Sequence, residues 1–121
     1  MTVGLVLVAH GSRDPQWHRP IQAVAQAIGQ HDPHLPVRCA YLELSTPSLP
    51  EAVAELLAIG VSRIRVFPVF LGVGKHARED LPELMQALRA QHPSVTFDLL
   101  PPAGESPALT ELLAELALGR R

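Results

Sequence analysis

Hydrophobic residues along this chain follow two alternating patterns. Short, nearly unbroken apolar runs predict buried β-strands at 3–9, 37–43, 63–70 and 94–100. After each run, apolar residues recur every three or four positions, which predicts amphipathic helices from Pro20 to near Gly29 and at 48–60, 79–91 and 107–118. Ser48 is expected to cap the second helix and Gly60 to end it.

The alternation of strand and helix predicts an α/β fold. We expect an open, mainly parallel four-stranded sheet with helices on both faces, built from flavodoxin-like βα units as a single domain over 1–121. Pro68 has no backbone N–H and is expected at an end, an edge or a bulge of the sheet. Ligands of such sheets bind beyond the carboxyl ends of the strands. Functional residues are therefore expected in the loops that follow the strands.

Composition and charge exclude several classes of protein. The chain has 121 residues, 47% of them hydrophobic, and a formal net charge of −2, which argues against nucleic acid as its main partner. The N-terminal apolar run is too short for a signal peptide or a membrane span, so no membrane is expected. Cys39 is the only cysteine and cannot form an internal disulfide. A cytoplasmic protein is expected.

Three candidate metal ligands follow three successive predicted strands. His10, Glu43 and His76 are separated by equal intervals of one strand–helix unit, so parallel strands would bring them to one edge of the sheet. Imidazole and carboxylate suit Co²⁺, Fe²⁺, Ni²⁺ or Zn²⁺. Each residue also has a purely structural interpretation, as a turn histidine, a surface carboxylate or a polar residue at a helix entrance. Their coincidence at three loops favours the metal.

Basic residues on the same loops predict an anionic ligand. Arg13, Lys75 and Arg78 are candidates for binding carboxylates of a small molecule, although exposed basic residues often serve only solubility. Ser12 is a further candidate, or else a turn and capping residue after Gly11. GVGK at 72–75 lacks the remainder of a phosphate loop, and HGS at 10–12 lacks the pattern of a hydrolase nucleophile elbow.

Three segments together resemble a known family. AHGSRDP at 9–15, YLELSTPSLPEAV at 41–53 and VFPVFLGVGKHAREDLPEL at 66–84 are similar to the small class II chelatases, the CbiX-type sirohydrochlorin cobaltochelatases and related sirohydrochlorin ferrochelatases. The resemblance runs from Leu5 to about Leu84. It implies insertion of Co²⁺, or alternatively Fe²⁺ or Ni²⁺, into sirohydrochlorin without nucleotide hydrolysis. The metal would be a substrate, and no cofactor would be permanently bound.

The resemblance also implies roles for individual residues. His10 would be the principal metal ligand and proton acceptor, His76 the second ligand, and Glu43 a carboxylate that guides metal or relays protons. A homodimer enclosing the tetrapyrrole is expected by analogy with short family members. Trp17, Leu71 and Val73 are candidate cleft or dimer contacts, with core packing as the alternative.

Other functions remain open at this point. The product would serve cobalamin synthesis if the metal is cobalt, and sirohaem or a nickel tetrapyrrole otherwise. A metal carrier or tetrapyrrole-binding protein would keep the same residues without turnover. A flavodoxin-like enzyme acting on anionic metabolites would use Arg13 and Lys75 and no metal.

Overall fold

Four parallel strands form the central sheet of this protein, which is described here by a computed structural model covering residues 2–121. The strands are β1 (Val3–Ala9), β2 (Val37–Tyr41), β3 (Arg63–Pro68) and β4 (Thr96–Leu99). Their order is β2-β1-β3-β4, with every neighbouring pair parallel. The predicted parallel α/β fold is confirmed, and the direction of winding reverses between β1 and β3.

Four α-helices accompany the sheet: α1 (Arg19–His31), α2 (Leu49–Ala58), α3 (Lys75–Gln91) and α4 (Pro107–Ala117). Successive side chains of β1 point to opposite faces of the sheet, so this one strand packs against helices on both faces. Leu7 packs in a cluster with Ile21 of α1, whereas Val6 and Val8 pack in a larger cluster with residues of α2 and α3. Helix α4 contributes no buried residue. No helix within residues 2–121 is long and apolar enough to cross a bilayer.

Helix α2 begins and ends as its sequence predicts. The Ser48 hydroxyl accepts a hydrogen bond from the Glu51 backbone N–H, and the Glu51 carboxylate accepts one from the Ser48 backbone N–H at 2.9 Å. The bonds from Ser48 hold the pKa of Glu51 below its usual value. Gly60 follows the helix with φ at +91°, a conformation that glycine adopts without strain.

The first helix does not stop near Gly29, where the sequence predicted its end. It continues to His31, with the Asp32 backbone N–H donating to the Ile28 carbonyl. Gly29 lies inside the helix on an exposed face, where neighbouring residues with good helix propensity carry the helix through it.

Substitution of Gly29 is therefore expected to stabilise the protein. An added Cβ at Gly29 meets nothing within 4 Å, so Gly29→Ala gains helix propensity without a collision. We expect the free energy of unfolding to rise by about 0.5–1 kcal/mol in urea denaturation. Gly60→Ala, at positive φ, serves as the matched control and is expected to destabilise. Equal effects of the two substitutions would contradict the prediction.

Helix α3 begins four residues before the predicted start at Glu79. Gly74, in an extended conformation, precedes the first helical residue Lys75. A start at Glu79 would have placed Pro82 in the first turn, where proline is favoured; instead Pro82 lies inside the helix and cannot donate one backbone hydrogen bond. The residues Lys75 to Arg78 were predicted as loop and are helical, which changes how they present their side chains.

Candidate functional site

His10 lies immediately beyond β1, in the middle of the carboxyl edge of the sheet. Its side chain is exposed, but its ring stacks on the buried ring of Phe70, with centroids 4.3 Å apart and planes inclined by 22°. Phe70 follows β3, and it is only 3% exposed. This packing fixes the plane of the imidazole while leaving the residue accessible to a ligand.

Glu43 is held beside the chain that carries His10. β2 ends at Tyr41 rather than at Glu43 as predicted, and the Tyr41 N–H, which faces the outer edge of the sheet, donates to the Pro47 carbonyl. Two hydrogen bonds nevertheless continue toward β1: Leu42 N–H to the Ala9 carbonyl and Glu43 N–H to the His10 carbonyl, both 3.0 Å. The backbones of His10 and Glu43 are thus directly hydrogen-bonded to each other.

Gly11 makes this close approach possible. Its φ is +98°, and an added Cβ would collide with the carbonyl oxygen of Glu43. Leu44, the residue after Glu43, has φ at +61° although it is not a glycine. Residues in such conformations persist where surrounding contacts hold them, and they cluster at functional sites.

His76 reaches the same region from the first turn of α3. It lines a cleft of about 760 Å³ together with His10, Glu43 and Lys75. The sequence thus predicted correctly which three strand ends converge, and four of its candidate residues share one cleft. Lys75 is also close to the helix N-terminus, where the helix dipole adds to its positive charge.

The three candidate ligands share the cleft, but the structure does not group them as a metal site. Between residues 2 and 121 there is no group of three or more His, Cys, Asp or Glu side chains arranged to hold a metal ion. Ligation by His10, Glu43 and His76 remains a prediction.

The remaining predicted substrate residues lie outside the main cleft. Ser12 accepts a hydrogen bond from the Asp14 backbone N–H, so its hydroxyl serves the turn after β1, and Asp14 caps the following 3-10 turn. Arg13 is exposed on this turn. Arg78 lines a separate cavity of about 230 Å³ that also contains Val73. Of the basic candidates, only Lys75 lines the main cleft.

The structure adds acidic residues that the sequence analysis did not select. Asp80 and Glu83 line the cleft four and seven residues after His76 on α3, a spacing that places all three on one face of a helix. The pattern is visible in the sequence, but only if the helix is started at Lys75 instead of Glu79.

An apolar cleft of about 560 Å³ shares, among residues 2–121, only His10 with the main cleft. Its lining includes Trp17 and Leu71, which are 65% and 69% exposed. The three apolar contacts predicted from the sequence are thus divided: Trp17 and Leu71 are exposed beside His10, whereas Val73 packs against the core.

Two titratable groups lie beneath this region, in the sheet. Burial raises the pKa of the Cys39 thiol and is also the main cause of the raised pKa of Tyr41, to which Cys39 adds and which a hydrogen bond from Gln22 partly opposes. Both groups therefore stay neutral near pH 7. They supply packing to the strand that leads to Glu43.

Comparison with known proteins places this geometry in a family. The sequence profile of the CbiX family matches residues 4–118. A sirohydrochlorin cobaltochelatase of Methanothermobacter thermautotrophicus is 42% identical over 83 residues, which are 69% of this chain and 57% of that protein. One of Methanococcoides burtonii is 32% identical over 69% of this chain and 64% of its own length. The chain thus spans less than two thirds of the length of these curated relatives.

Solved structures agree with the match. A crystal structure described as a cobalamin (vitamin B12) biosynthesis CbiX protein, from Marinobacter aquaeolei VT8, superposes with a TM-score of 0.84 and 32% identity, covering 97% of this chain and 95% of that one. SirB from Bacillus subtilis with Fe³⁺ gives a TM-score of 0.78 and 25% identity, over 95% of this chain and 46% of SirB. With nearly its whole length matched by the profile, the chain belongs to the CbiX family.

Proposed function

We propose that the protein is a sirohydrochlorin cobaltochelatase, which inserts Co²⁺ into sirohydrochlorin. The observation that carries the proposal is the convergence of His10, Glu43 and His76 from three separate segments on one cleft. Relatives named sirohydrochlorin cobaltochelatase, 42% and 32% identical to this chain, support the choice of reaction and metal. Fe²⁺ and Ni²⁺ are alternative metals, since imidazole and carboxylate bind several first-row ions.

The reaction requires two things of these side chains. A divalent ion replaces two pyrrolic protons, so the site must deliver the ion with part of its water removed and accept the protons released. His10 holds the metal and accepts a proton, His76 is the second ligand, and Glu43 guides the metal or relays a proton. Few ligands suit this task because the ion must leave the protein for the macrocycle.

The surroundings of His10 suit the macrocycle itself. Trp17 and Leu71 offer exposed apolar surface on one side of the shared histidine, and Lys75 offers a cation in the other cleft. A flat tetrapyrrole with peripheral carboxylates needs both kinds of contact. Ser12, Arg13 and Arg78 are proposed to contact its outer carboxylates, with Arg13 and Arg78 as the charged partners.

A second copy of the chain completes the proposed enzyme. SirB is about twice as long as the region that this chain matches, because the match covers 95% of this chain but 46% of SirB. A homodimer would supply a comparable amount of protein around the macrocycle. We place the reaction in the cytoplasm, where the single free thiol of Cys39 stays reduced.

Anaerobic metallation tests the proposal directly. Absorbance of sirohydrochlorin is followed with Co²⁺, Fe²⁺ or Ni²⁺ at substoichiometric protein, with the uncatalysed reaction as the reference and light scattering reporting the native mass. We expect many turnovers per protomer, fastest with Co²⁺, from a dimer. Tight binding of metal and tetrapyrrole without turnover would establish a carrier instead. Binding of anions with no affinity for metal would favour the metal-independent enzyme.

A further inference from the structure

The hydroxyl of Ser45 joins the two loops that carry His10 and Glu43. It donates a hydrogen bond to the Ser12 carbonyl at 2.5 Å and accepts one from the Ser12 backbone N–H at 3.3 Å. Ser12 stands two residues after His10, and Ser45 stands two residues after Glu43. The bridge therefore lies just beyond both candidate ligands.

A histidine outside the predicted site completes this bridge. His18 Nε2 lies 2.9 Å from the Ser45 hydroxyl oxygen. Because the single hydroxyl hydrogen of Ser45 is directed to the Ser12 carbonyl, His18 Nε2 must carry the hydrogen and donate. The Ser45 oxygen then accepts two hydrogen bonds and donates one. Both the neutral Nε2–H form and the cation of His18 satisfy this arrangement.

The His18 ring is itself anchored to the core. It stacks on Tyr41, with ring centroids 4.2 Å apart and planes inclined by 29°, and Tyr41 is only 4% exposed. His18 also immediately precedes α1. β2 and α1, two regular elements, thus fix the position of His18 Nε2. The Ser45 hydroxyl links that atom to the two loops.

Leu44 shows that the second loop needs such restraint. It holds φ at +61° with its side chain 55% exposed, so burial of that side chain does not account for its conformation. The hydrogen bond of Glu43 to His10 restrains it on one side, and the bonds of Ser45 restrain it on the other. Without the second restraint, the carboxylate loop is free to leave the left-handed conformation.

We propose that His18, acting through Ser45, is a positioning residue that sets the placement of Glu43 relative to His10. The inference rests on the proposed metal insertion, since that reaction gives the placement its purpose. His18 does not line the main cleft, so its effect is indirect. Small misplacements of reacting groups cost up to about 100-fold in rate.

Two substitutions separate the hydrogen bond from the ring stacking. His18→Phe keeps an aromatic ring on Tyr41 but has no donor, whereas His18→Gln keeps an N–H donor at a similar reach and loses the ring. We expect His18→Phe to lower kcat for Co²⁺ insertion about 10-fold with KM for sirohydrochlorin little changed. His18→Gln is expected to restore most of this loss. The exposed His34, changed to alanine, is the control.

A second measurement keeps the inference independent of turnover. Hydrogen exchange of the Ser12 and Glu43 amides is measured on the metal-free protein; His18→Phe should speed both, and His18→Gln should not. Ser45→Ala, which removes the whole bridge, should speed both at least as much as His18→Phe, and the double variant should be no worse than Ser45→Ala. If the parent protein shows no turnover, metal insertion fails and exchange alone decides the inference. Unchanged exchange in folded His18→Phe, or equal loss in His18→Gln, would overturn it.

Discussion

Replacing His10 with alanine is expected to abolish nearly all metal insertion, lowering kcat by at least about 100-fold. Alanine removes the side chain proposed to hold the metal and to accept a pyrrolic proton. The fold should survive, because His10 is exposed and its stacking partner Phe70 is held independently in the core. Metallation is measured anaerobically, and Co²⁺ affinity is measured by titration on the same samples.

The matched control is His92→Ala. His92 lies at the opposite end of α3 from His76 and its ring is tilted against a phenylalanine, Phe97, as His10 is stacked on Phe70. It should retain the parent rate. The prediction would be contradicted if His10→Ala folds, binds Co²⁺ as the parent does and still turns over. His10 would then have no part in the proposed chemistry, which would rest on Glu43 and His76.

Gly11→Ala is expected to cost stability and activity together. The new methyl group would collide with the Glu43 carbonyl, and alanine is strained at φ of +98°. We expect a loss of at least about 2 kcal/mol in the free energy of unfolding. Part of the strain can instead be relieved by parting the two loops, which would disturb the spacing of His10 and Glu43 and lower kcat. Urea denaturation and metallation together measure both consequences.

Gly72→Ala provides the comparison within the same edge of the sheet. Gly72 lies in the loop after β3, and an added Cβ there meets nothing within 4 Å. Its stability should change by no more than about 0.5 kcal/mol. If Gly11→Ala behaved in the same way, the close approach of the His10 and Glu43 backbones would not be a constraint on the protein.

The sequence was informative where local signals and burial agree. The apolar run of β1 predicted a strand covered on both faces, and Leu7 and Val6 do pack in different clusters. The Ser48 cap with Glu51 defined the start of α2. Convergence of His10, Glu43 and His76 followed from parallel strands alone, because one strand–helix unit returns the chain to the same edge.

Other features depend on contacts that no local pattern reveals. Helix α3 includes Pro82 in its interior, against the preference of that residue, so its start at Lys75 and the alignment of Asp80 with His76 were missed. His18 was not among the residues that the sequence predicted for the site. Its bond to Ser45 joins residues 27 positions apart, and neither residue carries a signal for the other in the sequence.

Within residues 2–121, His10 alone lines both clefts, and on the proposed function this has a kinetic consequence. A macrocycle that contacts Trp17 and Leu71 on one side and Lys75 on the other would cover His10 between them. The metal ion would then have to reach the imidazole before the macrocycle does. Binding would be ordered, with the metal first, and an excess of free tetrapyrrole would slow metal insertion by occupying the protein before the metal arrives.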